Sequence, residues 1–158
     1  MRRLVLLFGL TVLSLSLLTA FTYAETFSAY VESVIDGDTF VLDDGQRIRL
    51  FGIDAPELSQ CYGEAAKRYL QRLVENRQVI LACDGTKSYN REVCSASVSG
   101  LDVEKELVSW GLAFDYERYS EGRYAEAEQF AYEHRRGVWS GGLKPWQYRR
   151  LPENSKTS

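Results

Sequence analysis

The chain of 158 residues is long enough for one domain with a hydrophobic core. It carries 22 acidic and 19 basic side chains, which gives a formal net charge of −3 at pH 7. Residues 1–24 hold two of the basic side chains and no acidic one, so the remainder carries −5. Proteins that grip nucleic acid usually present a basic face, because phosphate neutralisation releases counterions. The acidity therefore counts against a nucleic-acid binding module more than against an enzyme that turns nucleic acid over.

The amino-terminal residues predict an export signal. Two arginines precede an apolar run over residues 4–18 and a small-residue triplet that ends at Ala24. This order is typical of a signal peptide, here residues 1–24, cleaved after Ala24. The alternative is an uncleaved membrane anchor, since the apolar stretch is nearly long enough to span a bilayer. We expect residues 25–158 to form the exported domain, periplasmic or secreted, with no membrane association after cleavage.

Short segments rich in β-branched and aromatic residues alternate with turns that contain Gly, Asp or Asn. They predict strands over residues 28–34, 39–42, 46–51, 78–83 and 92–98. The first three read as a meander, because turns with Asp and Gly separate them.

Three segments have helical features. Apolar residues recur at helical spacing from Gly63 to Asn76. Asp102 can cap a second helix that runs to Trp110, and a third covers residues 124–136. A helix between the third and fourth of five strands is the element order of an OB-type barrel. We expect an α+β fold with a five-stranded OB-type β-barrel and about three α-helices, and a loose tail from about residue 150.

The chain has three cysteines, Cys61, Cys83 and Cys94. An odd number means that one is unpaired or bridges two molecules. Facing strands favour a disulfide between Cys83 and Cys94, with Cys61 as the alternative partner of either. The cysteines have neither the close spacing nor the histidine cluster of a zinc site, so we expect no metal on them.

Two groups of carboxylates flank the pair formed by the second and third predicted strands. Asp36 and Asp38 surround a glycine, which alone is typical of a tight hairpin. Asp54 and Glu57 follow the third strand, residues 47–51, which we expect to pair with that hairpin. Close carboxylates repel unless a positive charge lies between them. A hard divalent cation with oxygen ligands fits this need, and an extracellular setting offers calcium.

One strand arginine stands out. Alternation along residues 47–51 places Arg49 and Arg47 on one face. An arginine in a ligand-lined groove would hold phosphate with its planar fork, whereas Arg47 is better explained as a solvated side chain. The single histidine, His134, lies in a charged helical stretch, so we expect it at the surface. Because the chain has a single histidine, a ribonuclease mechanism that uses two histidines is excluded.

Residues 34–40 (VIDGDTF) and 47–57 (RIRLFGIDAPE) together resemble the paired signature of the thermonuclease, or staphylococcal nuclease-like, family. The segment 88–91 (SYNR) stands where the family has Asp-x-Tyr-Gly-Arg. Later segments, including 137–140 and 145–149, also resemble family blocks. The resemblance covers residues 28–150, and the joint order of these blocks makes it specific.

The resemblance implies an endonuclease that hydrolyses phosphodiester bonds in DNA and RNA with Ca²⁺, low sequence preference and 3′-phosphate products. It implies a monomer without a stable protein partner. The implied calcium ligands are Asp38, Asp54 and the Ala55 carbonyl, with Asp36 in the outer shell. Glu57 would be the general base, and Arg49 and Arg91 would bind the scissile phosphate. Tyr89 and Tyr116 or Tyr119 would line the nucleotide pocket, where aromatic faces stack on bases.

One departure concerns the loop that carries Arg91. Asn90 replaces the family glycine, and asparagine is the next best residue for a left-handed turn, so we expect Arg91 to be aimed correctly.

Two alternative functions would require different sets of residues at the site. A catalytically silent binding module would lose the acids and arginines, and a domain binding protein or oligosaccharide would need neither Glu57 nor paired arginines.

Overall fold

The computed structural model describes residues 25–141, 144–152 and 155. The predicted signal peptide lies outside these residues. Within the described part of the chain, every helix is too short or too polar to cross a bilayer.

Strands and helices alternate along the chain. The strands are β1 (Glu25–Val34), β2 (Thr39–Leu42), β3 (Arg47–Leu50), β4 (Ile53–Asp54), β5 (Gln78–Ser88), β6 (Arg91–Val98), β7 (Leu101–Asp102) and β8 (Phe114–Asp115). The α-helices are α1 (Gly63–Val74), α2 (Val103–Ser109), α3 (Glu117–Ser120), α4 (Ala125–Glu133) and α5 (Pro145–Tyr148). A short 3₁₀ helix covers Gly137–Ser140.

Five strands close into a barrel in the order β3-β2-β1-β5-β6. Neighbouring strands are antiparallel, and a parallel pairing of β3 with β6 closes the barrel, with Arg49 opposite Val93. The pair β4 and β8 forms a separate two-stranded sheet beside it. The predicted α+β fold with an OB-type barrel is confirmed, and the predicted strands match β1, β2, β3, β5 and β6.

Helix α1 packs on the barrel through its apolar face. Ala66, Leu70 and Val74 of this face are fully buried, at helical spacing. Asp102 caps α2 as predicted, since its side chain accepts a hydrogen bond from the Lys105 N–H at 2.8 Å. The prediction for the third helix was too long, because α4 ends at Glu133 and Arg135 adopts a left-handed φ of 50°. His134 is exposed, as expected.

Helix α5 lies just before the predicted loose tail, which begins at about residue 150. Pro145 occupies the first turn of this helix, where a missing N–H costs nothing. The Gln147 side chain accepts a hydrogen bond from the Lys144 N–H at 3.1 Å, which satisfies the helix start. The segment is therefore ordered locally by its own sequence.

A disulfide joins Cys83 to Cys94, the pairing favoured from the sequence. The two residues lie directly opposite each other on β5 and β6, with a Cα–Cα distance of 4.3 Å. Cys61 is an exposed thiol. The bridge fastens together the two strands whose hairpin carries Arg91.

Helix α2 buries a carboxylate, Glu104, which is only 1% exposed. Both its oxygens accept from the Ala96 N–H, at 3.0 and 3.2 Å. Burial, and next the negative charge of Asp102, raises the Glu104 pKa from 4.5 to about 8. The folded protein therefore keeps a proton on this group at pH values where the unfolded chain has lost it.

This linkage predicts a pH dependence of stability. Between about pH 4.5 and 8 the folded state binds more protons at Glu104, so the free energy of unfolding falls as pH rises. The slope from this one group approaches about 1.4 kcal/mol per pH unit. Glu104→Gln should flatten the slope, as measured by urea unfolding at pH 5, 6.5 and 8. The exposed Glu126→Gln serves as control, and an unchanged slope in Glu104→Gln would contradict the assignment.

Candidate active site

The turn between β1 and β2 presents the first two carboxylates. Asp36 accepts the Asp38 N–H on its Oδ1 at 3.1 Å, which fixes the turn. A Cβ on Gly37 would lie 2.7 Å from the Cβ atoms of both Ala55 and Ala66. Only glycine therefore lets this turn pack directly on the segment that follows β4. The contact brings the two predicted acidic groups together.

Arg49 lies between the two buried carboxylates, Asp38 and Asp54. Its Nη1 is 2.9 Å from Asp38 Oδ2, and its Nη2 is 3.3 Å from Asp54 Oδ1. Asp38 Oδ2 also accepts the Ala55 N–H at 3.0 Å. Arg49 lines the cleft beside these carboxylates, and its side chain is 13% exposed. Arg47, two residues before it, is exposed to solvent. Asp38, Asp54 and the Ala55 backbone thus meet at one point.

The Glu57 backbone is fixed by hydrogen bonds, and its carboxylate reaches the solvent-exposed side of the site. Its N–H donates to Gln60 Oε1 at 3.3 Å, and its carbonyl accepts the Gln60 N–H at 2.8 Å. Gly63 begins α1 directly against it, since a Cβ there would lie 1.9 Å from the Glu57 carbonyl oxygen. The Glu57 side chain is 45% exposed, so water can reach it.

The β5–β6 hairpin brings Arg91 to the same cleft. Its Nη1 donates to Thr39 Oγ1 at 3.1 Å, and its Nη2 donates to Ser88 Oγ at 3.2 Å. Thr39 Oγ1 in turn donates to Asp38 Oδ1 at 3.0 Å. The expectation that Asn90 takes the left-handed conformation is wrong, because Tyr89 has the positive φ, 57°.

Two of the three predicted tyrosines form one wall of the site. The rings of Tyr116 and Tyr119 pack edge to face with centroids 4.9 Å apart. They also line an adjoining pocket of about 250 Å³ that Arg49 and Lys87 border. Tyr89 is 95% exposed and stands at the tip of its hairpin. The cleft beside the carboxylates measures about 530 Å³ and contacts all three rings.

Residues 47–141 match the family described as "Staphylococcal nuclease homologue". The chain belongs to this family. Membership makes it a nuclease-type hydrolase, as the sequence predicts, and the matched residues include Arg49, Asp54, Glu57 and Arg91.

Several relatives support the assignment. An "Uncharacterized endonuclease" of Haemophilus influenzae is 33% identical over 151 residues, covering 88% of this chain and 85% of the relative. "Protein ParB" of Escherichia coli is 34% identical over 145 residues, covering 80% and 81%. A "Probable staphylococcal-like nuclease CAN1" of rice is 33% identical over 117 residues, covering 72% of this chain and 35% of the relative.

A third arginine in the cleft of this nuclease homologue, Arg149, was missed from the sequence. Its Nη2 lies 2.7 Å from Asp54 Oδ2, and its Nη1 lies 2.8 Å from Glu57 Oε1. It directly follows α5, just before the predicted loose tail. The one signal for it was the resemblance of residues 145–149 to a family block, which assigned no role to the arginine.

Burial and charge shift the pKa values of two carboxyl groups. Burial, and next the Asp38 charge, raises the pKa of Asp36 from 3.8 to about 6. Burial raises the pKa of Asp54, although the guanidinium groups of Arg149 and Arg49 oppose this rise. For Arg149, burial alone would lower the pKa, but its hydrogen bonds to Asp54 and Glu57 raise it above the ordinary value. The site therefore combines negative charges that burial disfavours with guanidinium groups that hold them.

The donor set fits a hard divalent cation. Asp38 and Asp54 are 7% and 3% exposed, and each already binds a positively charged group, Asp38 through Arg49 and Asp54 through Arg49 and Arg149. Carboxylate oxygens and a neighbouring backbone carbonyl, as at Ala55, are the ligands that calcium prefers. The disulfide occupies Cys83 and Cys94, so their approach to Glu92 offers no thiolate site.

The packing of Gly63 predicts a strong effect of a small substitution. Gly63→Ala must push the Glu57 backbone away, because the new Cβ would lie 1.9 Å from its carbonyl oxygen. We expect turnover to fall by about 100-fold, since displacements of about 1 Å have such effects. Gly100→Ala is the control, because this glycine has a φ of 81° and open space around it. It should lower the melting temperature and leave turnover of the folded protein unchanged. Wild-type turnover in folded Gly63→Ala would contradict the role of this contact.

Proposed function

We propose that this protein is a calcium-dependent nuclease that hydrolyses phosphodiester bonds of DNA and RNA with low sequence specificity. The observation that supports this most is one cleft lined by carboxylates and arginines together. Its charged residues are Asp36, Asp38, Asp54, Glu57, Arg49, Arg91 and Arg149. Attack of water on a phosphodiester needs a base for the water and cations around the phosphate oxygens.

Glu57 is proposed as the general base. It is the most exposed of the three predicted carboxylates Asp38, Asp54 and Glu57, so a water molecule can lie between it and a bound phosphate. The rigid Gln60 contacts on both sides of its peptide fix the starting point of the side chain. A base held in this way takes a proton from water without reorganising the loop.

Arg49 and Arg91 are proposed to bind the phosphate. Arg49 belongs to a barrel strand and Arg91 to the hairpin of the neighbouring strand, so both guanidinium groups enter the cleft from rigid elements. Planar guanidinium forks suit phosphate oxygens and stabilise the negative charge that grows in the transition state. To bind phosphate, Arg91 must exchange its bonds to Thr39 and Ser88 for bonds to the substrate.

Asp38, Asp54 and the Ala55 carbonyl are proposed to hold Ca²⁺, with Asp36 in the outer shell. When bound, the ion would polarise a phosphate oxygen and add positive charge at the reacting centre. Tyr116 and Tyr119 would stack on a base of the strand. Tyr89, at the exposed hairpin tip, would contact the strand at the rim. The implied products carry 3′-phosphates.

We also propose that the protein acts outside the cytoplasm, in the periplasm or after secretion. Two features support this, namely the signal-like sequence of residues 1–24 and the disulfide between Cys83 and Cys94. Disulfides persist in oxidising compartments and are rare in the cytosol.

Glu57→Gln tests the proposed base. The change removes the proton acceptor but keeps the size of the side chain, so turnover should fall by about 100- to 10,000-fold. The assay follows cleavage of single-stranded DNA and RNA with calcium or with a chelator. The exposed Glu64→Gln should behave as wild type. Full activity of Glu57→Gln, or cleavage that the chelator leaves unchanged, would refute the proposed mechanism.

Arg91→Lys tests the phosphate contact. Lysine keeps the charge but loses the planar fork, so we expect turnover to fall by about 100-fold while folding is preserved. The matched control is Arg47→Lys, at an exposed arginine of strand β3. Equal activity of the two variants would remove Arg91 from the reaction.

A further inference from the structure

Arg149 enters the cleft from beyond the residues that the family match covers. The family match ends at residue 141, and Arg149 follows the short helix α5 beyond it. Its contacts to Asp54 and Glu57 bridge 95 and 92 residues of sequence. These contacts therefore add an element to the cleft that the barrel itself does not supply.

The guanidinium group of Arg149 binds both Asp54, a proposed calcium ligand, and Glu57, the proposed general base. Arg149 Nη2 is 2.7 Å from Asp54 Oδ2, and its Nη1 lies 3.4 Å from Asp54 Oδ1 and 2.8 Å from Glu57 Oε1. Arg49 also binds Asp54 Oδ1. Both oxygens of Asp54 thus have a guanidinium partner before any other cation arrives.

A guanidinium group at this position opposes a second cation. Like charges a few ångströms apart repel even with the screening of a protein surface. A monovalent ion that replaced Arg149 would exchange one positive charge for another, whereas a divalent ion would add a charge. The Arg149 side chain is 45% exposed, so it can turn into solvent, while Arg49 is 13% exposed and remains fixed.

We propose that Arg149 is an internal competitor of the cation site, which sets its affinity and restricts it to divalent ions. Arg149 also binds the Glu57 carboxylate, which becomes available only when the Arg149 side chain moves away. This inference rests on the proposed function, because it assumes that Asp54 binds a divalent cation. Arg149 thus covers the two carboxylates from its position directly after α5.

Calorimetric titration of the whole protein with calcium chloride, without nucleic acid, tests the inference. Arg149→Gln removes the charge at an exposed position, and the dissociation constant for calcium should fall by about tenfold at low ionic strength. Arg149→Lys keeps a charge but loses the bidentate reach, so its constant should lie between the two. Arg150→Gln is the control and should bind as wild type. Circular dichroism establishes that each variant is folded.

A second titration tests the charge selectivity. Sodium chloride, compared with choline chloride at equal ionic strength, should weaken calcium binding more in Arg149→Gln than in the wild type. An equal effect in both proteins would overturn the claim that Arg149 excludes monovalent ions.

Cleavage assays separate this inference from the proposed function. If wild type binds calcium and cleaves, but Arg149→Gln has the same or a higher dissociation constant, the inference fails and the function stands. If Arg149→Gln binds calcium more tightly but neither protein cleaves, the inference stands and the function fails. If neither protein binds calcium, both are overturned.

Discussion

The geometry of the site depends on how the charge of two buried carboxylates is balanced. Asp38 and Asp54 are almost fully buried, and two such groups repel each other in a medium of low polarity. Arg49 lies between them and binds one oxygen of each, at 2.9 and 3.3 Å. Its Nη1 also donates to the Leu50 carbonyl at 3.2 Å, which limits its freedom. The separation of the carboxylates is thus set by a strand of the barrel rather than by loops.

Closure of the barrel also fixes the position of Arg91, on the other side of the cleft. The parallel pairing of β3 and β6 sets Arg49 opposite Val93, two residues from Arg91. Arg91 donates to Thr39, and Thr39 donates to Asp38, so hydrogen bonds connect β6, β2 and the turn before β2 at the site. The disulfide holds β5 and β6 together below the hairpin. A shift of any one strand would therefore change the position of several charged groups at once.

The sequence predicted what depends on local pattern. Alternating apolar residues identified the barrel strands, and the close sequence spacing of Asp54 and Glu57 marked the acidic group. Arg149 could not be found in this way, because its contacts depend on where α5 docks, and composition does not encode that. For the β5–β6 hairpin, the sequence predicted a left-handed turn residue but placed it at Asn90. The pairing of Ser88 with Arg91 leaves two turn residues, and backbone register rather than residue preference gives the positive φ to the first, Tyr89.

The balance of charge in the cleft explains why a cation and a phosphate would act together. Among the described residues that line it, four are carboxylates and three are arginines, a net charge of −1 when all are ionised. A phosphodiester brings another negative charge, so it would meet weak repulsion, on a body that is itself acidic. A divalent ion would change the balance to +1 while Arg149 stays in the cleft, and to 0 once Arg149 turns into solvent, so in both cases the repulsion is removed. Arg149 is the exposed member of the ion pairs on Asp54, so its movement is the step at which this balance can be set.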